Sequence, residues 1–299
     1  MSNNKNSGLS RAARRVRDAG RVLRGKKIAS DPDANRPKVS KTTSDDTPQY
    51  PKADQGIIVD VGMNDGKDTH YYRKRGFHVI AVEAIPDLCA TVAKQFADLG
   101  VDGVDIRNFA VTDDTTDEVA FYVNKHISAW SSVDERIGSR LKGAEKISVP
   151  AVDLSSELSS VSGQILYIKI DIEGYDSVAL SQIMKLPNLP RYVSVENGSS
   201  DMLNILHENG YDGFKFSNQK YVETQTVSPH SPHGKIVNHK FKSSASGVFG
   251  EDLPGKWISY EDALKIQKAL NLATQTAPNN LFAEIIGWFD LHAKHSSAK

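Results

Sequence analysis

Gly56-Ile-Ile-Val-Asp-Val-Gly-Met-Asn-Asp-Gly-Lys-Asp-Thr69 is the stretch whose reading decides the fold. Residues 56–60 form a short β-branched run ending at a carboxylate, the pattern of a strand buried on both faces of a parallel sheet. A glycine-containing turn follows, and Lys67 to Arg75 reads as a helix stopped by Gly76. Phe77 to Glu83 is a second apolar run that again ends at an acid. Pro86 suits the first turn of the next helix, where Leu88, Val92, Ala93 and Phe96 recur at helical spacing up to Gly100. Strand–helix–strand alternation of this length means right-handed βαβ units and an open parallel sheet.

The pattern continues outward. Val104 to Phe109, Val119 to Val123 and Ile147 to Val152 read as strands, and Gln164 to Ile170 as a strongly apolar one running into Asp171-Ile-Glu173-Gly174. A helix over 175–184 leads to a strand at 191–196, and a short helix over 201–209 closes at Gly210. Residues 211–256, rich in Ser, Pro, His and Lys, suggest short strands joined by long loops. Two terminal helices are expected, 260–272 behind a Ser259 cap and 280–292.

Ligands of an open α/β sheet bind at the carboxyl ends of its strands. That edge carries a row of acids, Asp60, Glu83, Asp171 and Glu196. The turn Gly62-Met-Asn64-Asp-Gly66 is neither the dinucleotide fingerprint, because Asn stands at 64 and the third glycine is missing, nor a P-loop, because no Gly-Lys-Ser/Thr closes it. Its small residues let the backbone approach a ligand closely, and Asn64 tolerates unusual φ. Glu83, 23 residues after Asp60, is placed to accept hydrogen bonds from two ribose hydroxyls. Together these favour a nucleoside that needs no pyrophosphate cradle, of which S-adenosylmethionine is one.

Composition bounds the rest. The 299 residues carry 37 basic and 37 acidic side chains and 39% hydrophobic residues, enough for a core and unlike a globally basic nucleic-acid binder. One cysteine, Cys89, excludes an internal disulfide framework. No apolar run approaches a membrane span, and the N-terminus carries no signal-peptide core, so a cytoplasmic protein is expected. Residues 1–27 hold nine Lys/Arg against one acid, Asp18, which leaves 28 basic and 36 acidic groups elsewhere. Residues 1–54 are therefore read as a disordered basic N-terminal arm before a catalytic domain at 55–299, first as a solvated tail without a partner, with weak contact to an anionic inner-membrane surface as the alternative.

Five blocks resemble one family. Ile57 to Thr69, Val82-Glu-Ala-Ile-Pro86, Asn108-Phe-Ala-Val-Thr-Asp113, Trp130-Ser-Ser132 and Tyr167-Ile-Lys-Ile-Asp-Ile-Glu-Gly174 are similar to the successive motifs of the FkbM-type S-adenosylmethionine-dependent methyltransferases. A looser likeness appears at Phe249-Gly-Glu-Asp-Leu-Pro254 and Trp288-Phe-Asp-Leu-His-Ala293. The resemblance implies a class I methyltransferase fold: a Rossmann-like α/β sheet of seven strands, mostly parallel, with an antiparallel terminal hairpin. It implies O-methylation of a sugar, glycan or glycolipid hydroxyl. It places Asp60, Gly62, Asn64, Gly66, Thr69, Glu83, Ala84, Asn108, Ala110 and Asp171 around the cofactor, with Asn108 and Ala110 beside the adenine. Met63 and Asp65 depart from the commoner residues of that turn.

Methyl transfer to a hydroxyl asks for an acceptor oxygen in line with the methyl at about 3 Å, and for a base or a cation at that oxygen. Asp171, Glu173, Glu196 and His292 are the candidates, Asp171 first because its strand should carry it, partly desolvated, into the crevice. Glu173 could instead serve a helix N-terminus, Glu196 could pair with a cation, and His292 could be an ordinary helical histidine. Trp130, Ser131 and Ser132 are candidates for the acceptor, as are residues 121–146 and 211–256 more broadly. The sequence leaves any divalent metal undetermined. An NAD-dependent oxidoreductase, a metal hydrolase built on His230, His233 and His239, and a non-catalytic nucleoside-binding module are the alternatives.

Overall fold

The computed structural model of the protein describes residues 50–113, 116–140, 143–276 and 281–297. Of the arm expected at 1–54, residues 1–49 lie outside that set. Residues 50–54 belong to the body: Tyr50 packs edge-on against Phe96, its hydroxyl meets His70 Nδ1 at 2.6 Å, and Arg73 donates to the Pro51 carbonyl. The boundary therefore falls before Tyr50 and not at residue 54.

In chain order the elements are β1 (Ile57–Val61), α1 (Lys67–Lys74), β2 (His78–Glu83), α2 (Pro86–Asp98), β3 (Val104–Asn108), β4 (Ala110–Val111) and β5 (Glu118–Val123). There follow α3 (Glu135–Gly138), β6 (Glu145–Val152), α4 (Leu154–Leu158), β7 (Ile165–Ile170), α5 (Asp176–Ile183), β8 (Tyr192–Val195) and α6 (Ser200–Glu208). The last are β9 (Tyr211–Asn218), α7 (Tyr260–Thr276), α8 (Leu281–Ile286) and β10 (Phe289–His295). Seven strands form the central sheet in the order β3-β2-β1-β7-β8-β10-β9, and β10 alone runs antiparallel to its neighbours. This is the class I methyltransferase arrangement. The chain order reverses between β1 and β7, which opens the crevice there.

Strand periodicity divides the core. Val59, Val61, Ile168, Ile170, Val193 and Val195 face α4 to α7, whereas Ile58, Val79, Ala81, Tyr167 and Tyr192 face α1, α2 and the segment 222–257. A second, three-stranded sheet, β4-β6-β5, stands over the carboxyl edge.

Two expectations are corrected. The helix expected over 280–292 ends at Ile286, where Gly287 turns at φ 95°, and His292 lies on β10 between β8 and β9. Leu291 and Ala293 fill one core face while Asp290 and His292 occupy the other, and pairing with distant strands outweighs local helical spacing. Residues 211–256, expected as short strands and long loops, form the eight-residue strand β9 and then a segment that packs on the sheet. Val222, Val227, Phe241, Val248, Phe249 and Leu253 complete the core on α1 and β7, with Phe249 stacked on Tyr167 at 4.4 Å. Glu251 anchors this cover by accepting hydrogen bonds from Tyr192, Trp257 and Lys294, and the buried Arg75–Asp252 pair (2.9 Å) ties it to α1. That accounts for the block at 249–254 as a structural strap.

Candidate functional site

A cleft of about 610 Å³ opens at the carboxyl ends of β1, β2 and β7. One wall is apolar (Val82, Phe109, Ala110, Val111 and Phe121), and the other carries Gly62, Asn64, Glu83, Asp171 and Glu173. Apart from glycine, the described residues with left-handed φ are Asn64 (51°), Glu173 (45°) and Asn197 (48°), and they stand in the turns after β1, β7 and β8. Such strain gathers where the surrounding structure holds a functional constellation in place.

The turn after β1 is built by close approach. A Cβ on Gly62 would sit 1.8 Å from the Asp171 carbonyl oxygen, so glycine here admits the neighbouring turn of the protein itself. Gly66 serves packing against Val92 in the same way, and it does not line the cleft. Both oxygens of Glu83 are engaged: Asn64 N–H donates to Oε2 and Ile85 N–H to Oε1, each at 2.8 Å. The side chain thus clasps the turns after β1 and β2 together, and it lines the cleft. Burial raises the Glu83 carboxyl above its ordinary value, against the Ile85, Asn64 and Ala84 amides and the Lys169 charge that lower it.

Beneath the turn lies a buried ionic cluster. Lys169 Nζ donates to Asp60 Oδ1 and to the Gly62 carbonyl, both at 3.1 Å, and stands 3.5 Å from Asp171 and 3.8 Å from Asp68. Burial works against its charge, and Asp60, Asp171 and Asp68 together outweigh that, holding the ammonium well above its usual range. Burial pushes Asp68 up to about 6, despite Lys169 and the Ser246 amide. Asp60 and Thr69 are bonded to each other at 2.6 Å with no exposed surface, so they support the floor and do not line the cleft. A lysine in the otherwise apolar run Ile165-Leu-Tyr-Ile-Lys-Ile170 is the signal that could have revealed this cluster, because a buried cation demands acid partners.

The remaining candidates sort by geometry. Asp171 lines the cleft with its side chain about a third exposed (35%), less desolvated than expected. Glu173 lines it too, paired with Arg140 at 2.7 Å, and burial raises its carboxyl. Asp176 receives the Ile172 and Gly174 amides at 3.0 Å and so shapes the Asp171–Gly174 turn, a role sequence reasoning missed. Ala84, Ala110 and Ser131 line the cleft, but Asn108 does not. Its amide donates to the Glu83 and Ala84 carbonyls, and the next residue, Phe109, lines the cleft. Trp130 is covered by the Arg140 guanidinium at 5.0 Å and also stands off the cleft. Ser132 is buried and donates to the Glu173 carbonyl. With Ser128, which donates to Asn64, it straps the segment 124–140 over the sheet edge.

Glu196 stands beside Asp171 in the sheet, since β7 and β8 pair Ile170 with Val195. Burial raises its carboxyl well above the ordinary range, and the charges of Asp171, Asp290, Glu173 and Asp176 add to that. His292 is not brought to the cleft: it is 2% exposed, faces Lys215, and burial pushes it down to about 3. Neither do the three loop histidines form a ligand set. His239 packs on Tyr71 and Phe241, His233 on Tyr192, and among the described residues no group of three or more His, Cys, Asp or Glu is arranged to hold a metal ion. No helix among the described residues is long and apolar enough to cross a membrane.

The apolar wall, the Glu83 carboxylate and the carboxylates beyond it fit a nucleoside with a charged amino-acid tail. Comparison with known proteins agrees. The family described as "Methyltransferase FkbM domain" matches residues 60–212. No curated protein matches the chain. Among solved structures the chain is similar to the METTL16 methyltransferase domain, at 12% identity and TM-score 0.36 over 58% of this chain and 57% of that one. It is also similar to the Methanococcus jannaschii fibrillarin pre-rRNA processing protein, at 10% identity and TM-score 0.33 over 56% and 61%. A third is the precorrin-6y C5,15-methyltransferase of Geobacter metallireducens, at 8% identity and TM-score 0.33 over 63% and 78%. The chain thus spans less than two thirds of the first two structures, and the fold assignment rests on the strand order above.

Proposed function

The chain belongs to the FkbM methyltransferase family and depends on S-adenosylmethionine, and from that premise we propose that it methylates a hydroxyl of a sugar, glycan or glycolipid. One observation carries this reading: the described cleft lining holds three carboxylates, Glu83, Asp171 and Glu173, and no cationic side chain. Carboxylates accept hydrogen bonds from hydroxyls; Glu83 is the group for the ribose and Glu173 is paired with Arg140 at 2.7 Å, which leaves Asp171, about a third exposed, to meet an acceptor hydroxyl.

Bound S-adenosylmethionine supplies a methyl on a sulfonium leaving group. The chain's own residues do the rest. Glu83 would accept hydrogen bonds from the ribose hydroxyls, Ala84, Phe109, Ala110 and Phe121 would flank the adenine, and Gly62, Asn64 and Asp171 would face the amino-acid tail. Asp171 also accepts the proton from the acceptor hydroxyl at a carboxylate oxygen. Lys169, Asp60 and Asp176 hold Asp171 in position, and Glu173 with Arg140 steadies the strap above it.

The test is transfer of labelled methyl from S-adenosylmethionine to panels of neutral glycans, glycolipids, peptides and RNA. The expected product is a methyl ether on a saccharide. Label appearing only in peptide or RNA refutes the proposal. Asp171→Asn, which keeps size and removes charge, is expected to lower turnover by about 10²-fold, well beyond the roughly tenfold loss of S-adenosylhomocysteine affinity expected from its place beside the amino-acid tail. Near-wild-type turnover would pass the role of base to Glu196.

A further inference from the structure

A second cleft lies beside the first, between the turn after β8 and the C-terminal half of α7, with Trp288 at one side. Its empty volume is about 870 Å³. Every residue described as lining it is uncharged. Gln267, Asn271, Thr274 and Gln275 come from α7 at a spacing of four, three and one, which places them on one face of the helix. That is the face by which α7 packs on the protein, for Ala263 one turn earlier is buried in the core. An amphipathic helix would continue this face with apolar residues. Here it carries amides and a hydroxyl where the helix diverges from the sheet.

Three features give the cleft a chemical character. The amides are organised: Gln267, 4% exposed, donates from Nε2 to Asn271 Oδ1 at 2.9 Å, which fixes the orientation of both planes. Asn197 contributes from a left-handed backbone conformation (φ 48°), in the same strained set as Asn64 and Glu173 of the first cleft. Trp288 is 40% exposed, a large aromatic surface left in water beside the amides. An aromatic face beside fixed planar amides, without charge, matches the alternating C–H faces and hydroxyl edges of a neutral saccharide. Anionic ligands find no cation in this lining, and a lipid tail would strand the amides without partners.

The two clefts open at the ends of neighbouring strands: Asn197 follows Glu196, which the pairing of Ile170 with Val195 sets beside Asp171, and neighbouring strands lie about 4.8 Å apart. We propose that this second cleft is an acceptor subsite that binds a neutral sugar unit next to the one being methylated, with Trp288 stacking on its ring and Asn197, Asn271 and Gln275 reading its hydroxyls. The inference rests on the reading of the acceptor as a glycan. It adds that the acceptor is at least a disaccharide without acidic groups at this position.

The experiment uses the full chain. Binding to an array of neutral and sialylated or sulfated glycans is measured, together with the indole N–H NMR signals of Trp130, Trp257 and Trp288, assigned by substitution. Neutral glycans are expected to bind and to shift the Trp288 signal. Trp288→Ala and the double variant Asn271→Ala/Gln275→Ala alter exposed or half-exposed side chains, so the fold should survive. Each is expected to raise KM for the glycan about tenfold, with kcat within about threefold and S-adenosylhomocysteine affinity unchanged. If neutral glycans are methylated but both variants keep the wild-type KM, or if glycans bind without moving the Trp288 signal, the subsite is wrong and the glycan reading stands. If no neutral glycan binds or accepts methyl while the cofactor product still binds, both are overturned.

Discussion

Glu83 performs two separable tasks, and its substitution tests the reasoning about both. Its carboxylate accepts the Asn64 and Ile85 amides at 2.8 Å and is 7% exposed. Glu83→Ala leaves two amides without an acceptor, each worth about 1–3 kcal/mol when desolvated. Asn64 is partly exposed, so water can reach one of them, and the expected loss of stability is about 2–4 kcal/mol. Glu83→Gln keeps one carbonyl acceptor and turns an amide group against the other N–H, so about half of that loss is expected. For the ligand, losing two hydrogen bonds to a charged group removes about 1.5–3 kcal/mol each, so affinity should fall more than tenfold.

The assay is titration calorimetry with S-adenosylhomocysteine, run on the same preparations as urea unfolding. A folded Glu83→Ala protein with wild-type affinity refutes the ribose assignment, and an unchanged urea midpoint refutes the clasp. pH gives an independent check. Because burial raises the Glu83 carboxyl, it protonates on acidification sooner than an ordinary glutamate and loses acceptor capacity. Affinity should therefore decline from a higher pH in the wild type than a normal carboxylate would give, and Glu83→Gln should flatten that decline.

Lys169→Met removes the only partner cation within 4 Å described for Asp60 and is expected to destabilise the fold by about 3–5 kcal/mol, read by urea unfolding. Loss below 1 kcal/mol would show that the cluster is not a strained floor. His292, pushed down to about 3 by burial, is neutral in the fold and protonates near 6.5 when unfolded, so stability present above 6.5 is lost as pH falls toward 3. His292→Gln should weaken that acid sensitivity with turnover within about threefold, and a collapse of turnover in a folded variant would restore its catalytic candidacy. Deleting residues 1–47, with their nine Lys/Arg among residues 1–27, should leave cofactor affinity intact and reduce salt-sensitive binding to anionic vesicles. Equal vesicle binding by the truncated chain would discard the membrane proposal. Extending the deletion through Tyr50 should lower the melting temperature, because the Tyr50 contacts with Phe96 and His70 go with it.

Sequence alone determined the parallel strands β1, β2, β7 and β8 of the central sheet, because each is a local apolar run punctuated by Gly, Pro or an acid. The same local grammar placed Gly62, Asn64, Glu83 and Asp171 at one edge, and the family resemblance added Ala84 and Ala110, all of which line one cleft. The tertiary structure decided what depends on partners distant in the chain. β10 is a strand because β8 and β9 supply its hydrogen bonds, although Leu281 to Ile286 just before it is helical. Asp60, Thr69 and Asn108 sit at motif positions, yet Lys169 and the Glu83 and Ala84 carbonyls draw their side chains into the floor. The face of α7 that carries Gln267, Asn271 and Gln275 reads in the sequence as an ordinary polar helix surface, and only the packing of α7 buries Gln267 and sets Asn271 and the exposed Gln275 along a cleft with Trp288. Strand propensity and turn chemistry are local, whereas the direction of a buried polar side chain is set by whichever distant group satisfies it.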